Sequence, residues 1–197
     1  MAKIGFYGGC FSPPTKAHIG LAQMAIKEYK LDKVVFVPVG DLYEKDNLEK
    51  LLHRYNMLKI ACRNSEVLQV SDIESRTNIC YKAIDIFEKL KESHKQDEIY
   101  FLMGADNLEK LPQWKNSQKL AENYRYIVFD RGTSKVEEII ENNKILKMHK
   151  SNFSAIKTSE FEDCSSRQIR EKIKKGQKPD DLDENVYLYI KENSIYL

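Results

Sequence analysis

Short apolar runs alternate with amphipathic stretches along most of the chain. Lys3–Tyr7 and the β-branched run Val34–Val39 are typical of strands buried in a parallel sheet. Between them, apolar residues recur at helical spacing over residues 15–30. The alternation predicts an α/β fold, with a doubly wound, Rossmann-like parallel sheet and two C-terminal helices. The same criteria predict further strands at Leu68–Ser71, Ile99–Met103, Tyr124–Phe129 and Ile145–His149, and helices at Leu51–Arg63, Ile79–Lys91, Val136–Ile140, Ser165–Lys175 and Glu184–Glu192.

The bulk composition narrows the class of protein. The chain has 197 residues, of which 42% are hydrophobic and 31% charged, and this fits one folded domain over residues 1–197. A net charge of +2 gives no sign of a nucleic-acid partner. The apolar runs are too short to span a bilayer and the first residues lack the apolar core of a signal peptide, so we expect a cytoplasmic protein without a membrane partner.

The cysteines give no sign of a metal site. None of the four is spaced from another as Cys-x-x-Cys, so we expect reduced thiols and no zinc centre. The four are Cys10, Cys62, Cys80 and Cys164.

Glycines follow several of the predicted strands. Gly8 and Gly9 come after the first strand, and Gly40, Gly104 and Gly132 come after later ones. Ligands of doubly wound sheets gather beyond the carboxyl ends of the strands, so we expect these loops to converge on one site. Gly8 and Gly9 predict a tight turn that lets the backbone approach a phosphate. They match neither the Gly-x-Gly-x-x-Gly of dinucleotide-binding folds nor the Gly-Lys-Ser/Thr of P-loops, which argues against both classes.

Two polar stretches at predicted helix starts supply candidate chemistry. Thr15 and His18 lie three residues apart, so a helix presents both on one side, and a hydroxyl and an imidazole beside an anion site indicate nucleotide chemistry. Ser165 and Ser166 open a later helix, with Arg170 one turn further on. Their hydroxyls, the helix N–H groups and the guanidinium could hold a di- or triphosphate. The alternative for the two serines is a plain helix cap.

Together the two stretches resemble the signature motifs of the nucleotidylyltransferase superfamily. The first runs Gly-Gly-Cys-Phe-Ser-Pro-Pro-Thr-Lys-Ala-His from Gly8, and the second runs Ser-Ser-Arg-Gln-Ile-Arg from Ser165. Within the superfamily the chain is most similar to the bacterial nicotinate-nucleotide adenylyltransferases. That narrower resemblance rests on Gly104-Ala105-Asp106, Leu111–Lys115, Arg54 with Met57, Glu74 with Tyr81, Val186–Ile190 and Ile195-Tyr196.

The resemblance implies an enzyme that transfers the adenylyl group of ATP to nicotinate mononucleotide, giving deamido-NAD and pyrophosphate in NAD biosynthesis. The attacking phosphate is already anionic, so catalysis rests on positioning and on neutralising charge. The resemblance also implies that Mg²⁺ binds together with ATP, and that the partners are two small molecules, ATP and a pyridine mononucleotide. Whether the protein forms a homo-oligomer stays open. The implied catalytic residues are His18, Thr15 and Arg170; the ATP-binding residues are Gly8, Gly9, Cys10, Phe11, Thr15, His18, Gly104, Asp106, Ser165, Ser166 and Arg170; the substrate-binding residues are Lys45, Tyr81, Trp114 and Arg131.

Two departures from the family pattern leave the substrate open. Thr15 stands where the bacterial enzymes usually have His, and Arg167 stands where they usually have Thr. The alternatives are a nicotinamide-mononucleotide adenylyltransferase and a nucleotide-binding sensor without catalysis. Simpler structural interpretations also remain for three residues: a helix N-cap for Asp106, core packing for Trp114 and a surface lysine for Lys45.

Overall fold

The computed structural model describes residues 1–43, 45–75, 81–130, 135–161 and 163–197. In these residues the chain forms one parallel sheet, whose strands are β1 (Lys3–Gly9), β2 (Lys33–Pro38), β3 (Leu68–Val70), β4 (Glu98–Gly104), β5 (Arg125–Asp130) and β6 (Phe153–Lys157). Their order across the sheet is β3-β2-β1-β4-β5-β6. The order reverses between β1 and β4, which is the switch point where doubly wound sheets bind ligands. The predicted fold class is confirmed.

Apolar residues that alternate along the strands divide the core into two layers. Phe6 and Phe101 belong to one layer, and their neighbours Tyr7 and Leu102 belong to the other. All four side chains are buried. The sheet is therefore covered on both faces, as a parallel sheet requires.

The predicted helices are confirmed, with small shifts at their ends. Two short helices, α4 (Ala105–Lys110) and α5 (Ser117–Asn123), were not predicted, because six or seven residues are too few to show helical periodicity. Ile79, the start predicted for α3 (Ala83–Ser93), lies outside the described residues, but a start before Ala83 is wrong, because Tyr81 and Lys82 are not helical. Lys82 is the N-cap, and its backbone N–H donates to Asp85 Oδ2 at 2.9 Å. In the described ranges no helix is long and apolar enough to cross a membrane. The helices are α1 (Lys16–Tyr29), α2 (Leu51–Cys62), α3 (Ala83–Ser93), α4 (Ala105–Lys110), α5 (Ser117–Asn123), α6 (Val136–Glu141), α7 (Lys144–Met148), α8 (Ser166–Lys174) and α9 (Glu184–Glu192), with 3₁₀ turns at Leu111–Gln113 and Lys150–Asn152.

The strand predicted at Ile145–His149 is wrong, because Ile145–Met148 belong to α7, His149 is its C-cap, and the strand at this edge of the sheet is β6. The side-chain oxygen of Asn143 accepts the backbone N–H groups of Ile145 and Leu146 at 3.0 and 3.2 Å. This cap starts the helix, and the buried Leu146 fixes it to the core. The helix-start signal of the asparagine outweighs the short apolar run that follows it.

The tight turn predicted at Gly8 and Gly9 is also wrong, because both glycines lie within β1 and pair with the last two residues of β2. The chain turns in the next residues, where Phe11 has a φ of 47° and the Ser12–Pro13 peptide bond is cis. A glycine at position 9 is nevertheless favoured on steric grounds, because a Cβ there would lie 2.9 Å from the Phe11 ring. Nothing lies within 4 Å of a Cβ built on Gly8.

Residues 165–197, here called the C-terminal unit, pack as a small apolar cluster beside α2. In this cluster α8 and α9 pack against each other, and Met57 of α2 connects the cluster to the rest of the molecule. Its buried members are Met57, Ile169, Ile173, Leu182, Val186, Ile190 and Ile195.

Candidate active site

The β1–α1 loop, residues 10–15, lies at the switch point of the sheet. β1 pairs with β2 on one side and with β4 on the other, so the loop leaves the sheet between two neighbouring strand ends. Phe11 is 2% exposed, and its ring centroid lies 5.6 Å from that of Tyr7 and 5.1 Å from that of His18. One buried aromatic side chain therefore fixes the loop to the sheet and to the first turn of α1.

Thr15 and His18 form a reciprocal capping box at the start of α1. The Thr15 backbone N–H donates to His18 Nδ1 at 3.0 Å, and the His18 backbone N–H donates to Thr15 Oγ1 at 3.4 Å. Because Nδ1 accepts a bond from a backbone N–H, the proton of the neutral imidazole lies on Nε2. An N–H donor of this kind can stabilise a phosphate oxygen. Thr15 is 2% exposed, and its backbone N–H and its Oγ1 both hydrogen-bond with His18, so we infer that it orients the His18 ring.

Side chains from α2 and α8 hold the carbonyl oxygens of the β1–α1 loop. Because C=O and N–H point in opposite directions across a trans peptide, the bond to the Cys10 carbonyl also directs the Phe11 N–H away from α2. The conformation of the loop thus depends on residues far away in the sequence. The bonds run from Arg54 Nη1 to Cys10 O (3.0 Å), from Arg170 Nη1 to Ser12 O (2.6 Å) and from Ser166 Oγ to Pro13 O (2.8 Å).

Arg54 lies completely buried beneath the loop. Besides its bond to the loop, its guanidinium donates to the carbonyls of Glu49 and Val39, both at 2.6 Å. Burial lowers the pKa of Arg54, and the Asp41 carboxylate, 3.5 Å away, opposes that effect. One arginine therefore joins the segments after β1 and after β2 and brings a positive charge under the site.

Lys45 approaches the loop from the segment after β2. Its Nζ donates to Cys10 Sγ at 3.4 Å, while the side chain stays exposed. The structure thus brings Lys45 and Cys10 together, and this position suits a phosphate contact as well as a surface lysine.

Ser165 is the N-cap of α8, which confirms the prediction that a serine caps this helix. Its Oγ accepts the Gln168 N–H at 3.3 Å and donates to Gln168 Oε1 at 3.0 Å. Ser166 donates its hydroxyl proton to Pro13 O, as described above. Because both serine protons already have protein acceptors, the groups of α8 that suit an anion are the first backbone N–H groups and the Arg170 guanidinium.

Gly104 ends β4, the neighbour of β1, and is the N-cap of α4. Asp106 is therefore not the N-cap, and the helix-cap interpretation of this residue is wrong. Its exposed carboxylate folds back over Gly104, where Oδ1 would lie 2.5 Å from a Cβ. Glycine at position 104 thus makes room for a carboxylate at the switch point.

Tyr81 and Trp114 lie in separate segments and each packs half-buried against the core layer that contains Phe101; together they are called the aromatic region here. Lys89 Nζ lies 3.7 Å from the centroid of the Tyr81 ring. Trp114 follows the 3₁₀ turn after α4 and keeps part of its ring exposed. Core packing and stacking on a ligand are both compatible with this placement. Arg131, the remaining predicted substrate residue, lies outside the described residues.

Comparison with known proteins assigns this geometry to a family. The family model described as Cytidylyltransferase-like matches residues 6–172, from β1 into α8. The chain belongs to the cytidylyltransferase-like family. Within it, the probable nicotinate-nucleotide adenylyltransferase of Acholeplasma laidlawii is 32% identical over 192 residues, covering 96% of this chain and 95% of the relative. The probable nicotinate-nucleotide adenylyltransferase of Endomicrobium trichonymphae is 33% identical over 202 residues, with both chains fully covered.

A solved structure supports the same fold for this cytidylyltransferase-like chain. Nicotinic acid mononucleotide adenylyltransferase of Plasmodium falciparum, complexed with NaAD, matches with a TM-score of 0.83 over 100% of this chain and 98% of the other. The sequence identity is 22%, so this match supports the fold. The full-length relatives carry the narrower assignment: the chain is a member of the nicotinate-nucleotide adenylyltransferases, which are nucleotidyltransferase enzymes.

Sequence analysis missed the roles of three residues in this cytidylyltransferase-like site. Arg54 was noted only as a point of resemblance, although an arginine among the apolar positions of a helix is a signal of a buried polar contact. Ser12 is 3% exposed and Tyr196 hydrogen-bonds to it, with Ser12 Oγ and Tyr196 Oη 2.8 Å apart. No local pattern joins these two residues, because 184 positions separate them.

Proposed function

We propose that the protein transfers the adenylyl group of ATP to nicotinate mononucleotide, with deamido-NAD and pyrophosphate as products in NAD biosynthesis. The observation that carries the proposal is the capping box of Thr15 and His18, which fixes an imidazole donor beside the β1–α1 loop at the switch point. The names of the full-length relatives support the choice of acceptor.

The reaction needs no proton transfer by the protein. An oxygen of the mononucleotide 5′-phosphate forms a bond to the α-phosphorus of ATP, while the bond from that phosphorus to the oxygen bridging to the β-phosphate breaks. Pyrophosphate leaves with the electron pair of the broken bond. Because the nucleophile and the leaving group are both anionic, the protein must align them and stabilise the charge that moves between them.

His18 and Arg170 are the residues that we assign to that charge. The Nε2–H of His18 donates to an α- or β-phosphate oxygen, in the orientation that Thr15 imposes. Arg170 uses one N–H for Ser12 O and offers its remaining donors, together with the N-terminus of α8, to the β- and γ-phosphates. Direct contact of the Thr15 hydroxyl with a phosphate stays a prediction.

The remaining predicted residues divide between the two substrates. Those for ATP lie at the ends of β1 and β4 and at the start of α8, and those for the mononucleotide include Lys45 beside Cys10 and the aromatic region. We assign Gly8, Gly9, Cys10, Phe11, Gly104, Asp106, Ser165 and Ser166 to ATP, and Lys45, Tyr81, Trp114 and Arg131 to the pyridine nucleotide. The two serines act here through the backbone at the start of α8, because their hydroxyl protons already have protein acceptors.

Mg²⁺ is the ion that we expect on the phosphates of ATP, where it would neutralise charge on their oxygens. Among the described residues, no group of three or more His, Cys, Asp or Glu side chains could hold a metal ion. We further propose that residues 1–197 act as one domain in the cytoplasm. A homo-oligomer stays a prediction.

Pyrophosphate release from Mg-ATP tests the proposal, with nicotinate mononucleotide and nicotinamide mononucleotide as parallel acceptors. Preferred turnover of the acid is the expected result. Preferred turnover of the amide would show that nicotinamide mononucleotide is the acceptor, while the type of reaction would stay as proposed. Release with neither acceptor, from a folded protein that binds ATP, would overturn the proposal in favour of a nucleotide-binding sensor.

A further inference from the structure

The last residues of the chain turn back toward the site. After α9, Ser194 and Tyr196 both have positive φ values, 52° and 60°, and the backbone N–H of Ile195 donates to Ile190 O at 3.0 Å. The Ile195 side chain is buried in the C-terminal unit. The anchored turn sends the half-buried Tyr196 side chain toward the β1–α1 loop, where its hydroxyl meets Ser12 Oγ at 2.8 Å.

Ser12 is bound through both of its polar oxygen atoms. Its Oγ accepts the Glu49 backbone N–H at 3.2 Å and shares a hydrogen bond with the Tyr196 hydroxyl. Its carbonyl oxygen accepts from Arg170 Nη1 at 2.6 Å. Two of these three bonds come from the C-terminal unit, so that unit largely determines where Ser12 lies.

The C-terminal unit also holds the residues that follow Ser12. Ser166 donates to Pro13 O at 2.8 Å, the Lys16 backbone N–H donates to Asp181 O at 2.9 Å, and Lys16 Nζ donates to Asp180 O at 2.6 Å. The segment from Ser12 to Lys16 therefore lies along one side of the unit. This segment leads directly into the capping box that orients His18.

We propose that Tyr196 is a positioning residue for the nucleotide site, which acts through Ser12 by fixing the β1–α1 loop in its ATP-binding conformation. This inference rests on the proposed function. Burial is the main cause that raises the pKa of the Tyr196 hydroxyl; the hydrogen bond with Ser12 and the charges of Arg170 and Arg54 oppose it, and the Glu49 carboxylate adds to it. The hydroxyl therefore keeps its proton at neutral pH and remains able to hydrogen-bond.

Tyr196→Phe tests the inference, because it removes one hydroxyl and keeps the ring that packs in the C-terminal unit. We expect the KM for ATP to rise about threefold to tenfold, as for the loss of one net hydrogen bond, with an unchanged KM for the mononucleotide. Direct titration with Mg-ATP in a calorimeter should show the same weakening of the Kd.

Tyr189→Phe is the matched control. The Tyr189 hydroxyl also lies in the C-terminal unit, and it contacts His53 Nδ1 and Asn56 Nδ2, both at 3.0 Å on α2. The Tyr189→Phe variant therefore loses hydrogen bonds of the same kind, but outside the β1–α1 loop. If Tyr196 only stabilised the unit, both variants would lower the unfolding temperature and affect ATP alike. The inference predicts that only Tyr196→Phe weakens the binding of ATP.

Ser12→Ala completes a double-mutant cycle with Tyr196→Phe. The two changes should be non-additive in the KM for ATP, because each removes the same bond. Additive effects, or an ATP affinity in Tyr196→Phe equal to that of the wild type, would overturn the inference. A wild-type protein that binds ATP without turnover would contradict the proposed function alone, since calorimetry still measures the effect of Tyr196 on ATP.

Discussion

The β1–α1 loop and the aromatic region are built in different ways. In the loop, the side chains of Thr15, His18 and Arg170 bind backbone atoms of the same short segment, so each contact shapes the next. Tyr81 and Trp114 instead lie half-buried on the core and belong to separate segments. The difference indicates that the loop is pre-organised for chemistry, whereas the aromatic region supplies surface for a ring.

His18→Ala should give the largest effect, because it removes the donor that we assign to the reacting phosphates. We expect kcat to fall about 10²–10³-fold, as for removal of one donor in an anion-stabilising site. Steady-state pyrophosphate release measures it, with circular dichroism to confirm folding. His53→Ala, a histidine that contacts Tyr189 outside the loop, is the control. Near-wild-type kcat in His18→Ala would contradict the role of the loop.

Arg170→Met should act mainly on ATP. The loss of a charge-assisted bond predicts a rise of about 10–100-fold in the KM for ATP. Arg167→Met is the matched control on the same helix, since Arg167 is exposed and pairs with Glu171 at 3.1 Å. Equal effects of the two substitutions would show that general positive charge, rather than the position of Arg170, attracts the nucleotide.

Trp114→Leu tests the other side of the comparison. It keeps apolar packing and removes the ring, so we expect about a tenfold rise in the KM for the mononucleotide with little change for ATP. Trp114→Phe should restore most of the affinity. A rise in both KM values together with a lower unfolding temperature would support core packing as the only role of Trp114.

Glu74→Gln should give the smallest effect, in the segment next to the loop. Glu74 accepts the Gly40 N–H at 2.8 Å, and burial raises the pKa of its carboxyl. Between its unfolded and its raised folded pKa the folded state binds more protons, so this group lowers stability as pH rises. The stability gain of the Gln variant over the wild type should therefore grow from about pH 4 to about pH 7.

Urea unfolding across this pH range measures that gain, with Glu92→Gln as an exposed control. A gain that stays constant or shrinks with rising pH would contradict the burial of Glu74.

The predictability of the site follows the same division between regions. The pairing of Thr15 with His18 and the cap at Ser165 are local, so spacing along the chain was enough to indicate them. The capping box itself was not predicted, because Thr15 was expected within the helix and is instead its N-cap. The turn was assigned to Gly8 and Gly9, although the chain turns at Phe11, because the backbone beyond them depends on pairing with β2 and on bonds from α2 and α8. Contacts of that range leave no local pattern.

At the β6 edge of the sheet, too, the local sequence pattern was not enough to predict the strand. The buried strands next to β1 were predicted because they are continuous apolar runs. β6 is shorter, and it carries Ser154 and an exposed Lys157, so its pattern is weak. The preceding apolar residues around Leu146 were taken for the strand, although the cap by Asn143 makes them helical.

The mass of the product formed from Mg-ATP and nicotinate mononucleotide tests the central claim most directly. The account predicts deamido-NAD and pyrophosphate in equal amounts, with both lost together in His18→Ala. Absence of a dinucleotide with either the acid or the amide, from folded wild-type protein that binds ATP, would contradict it.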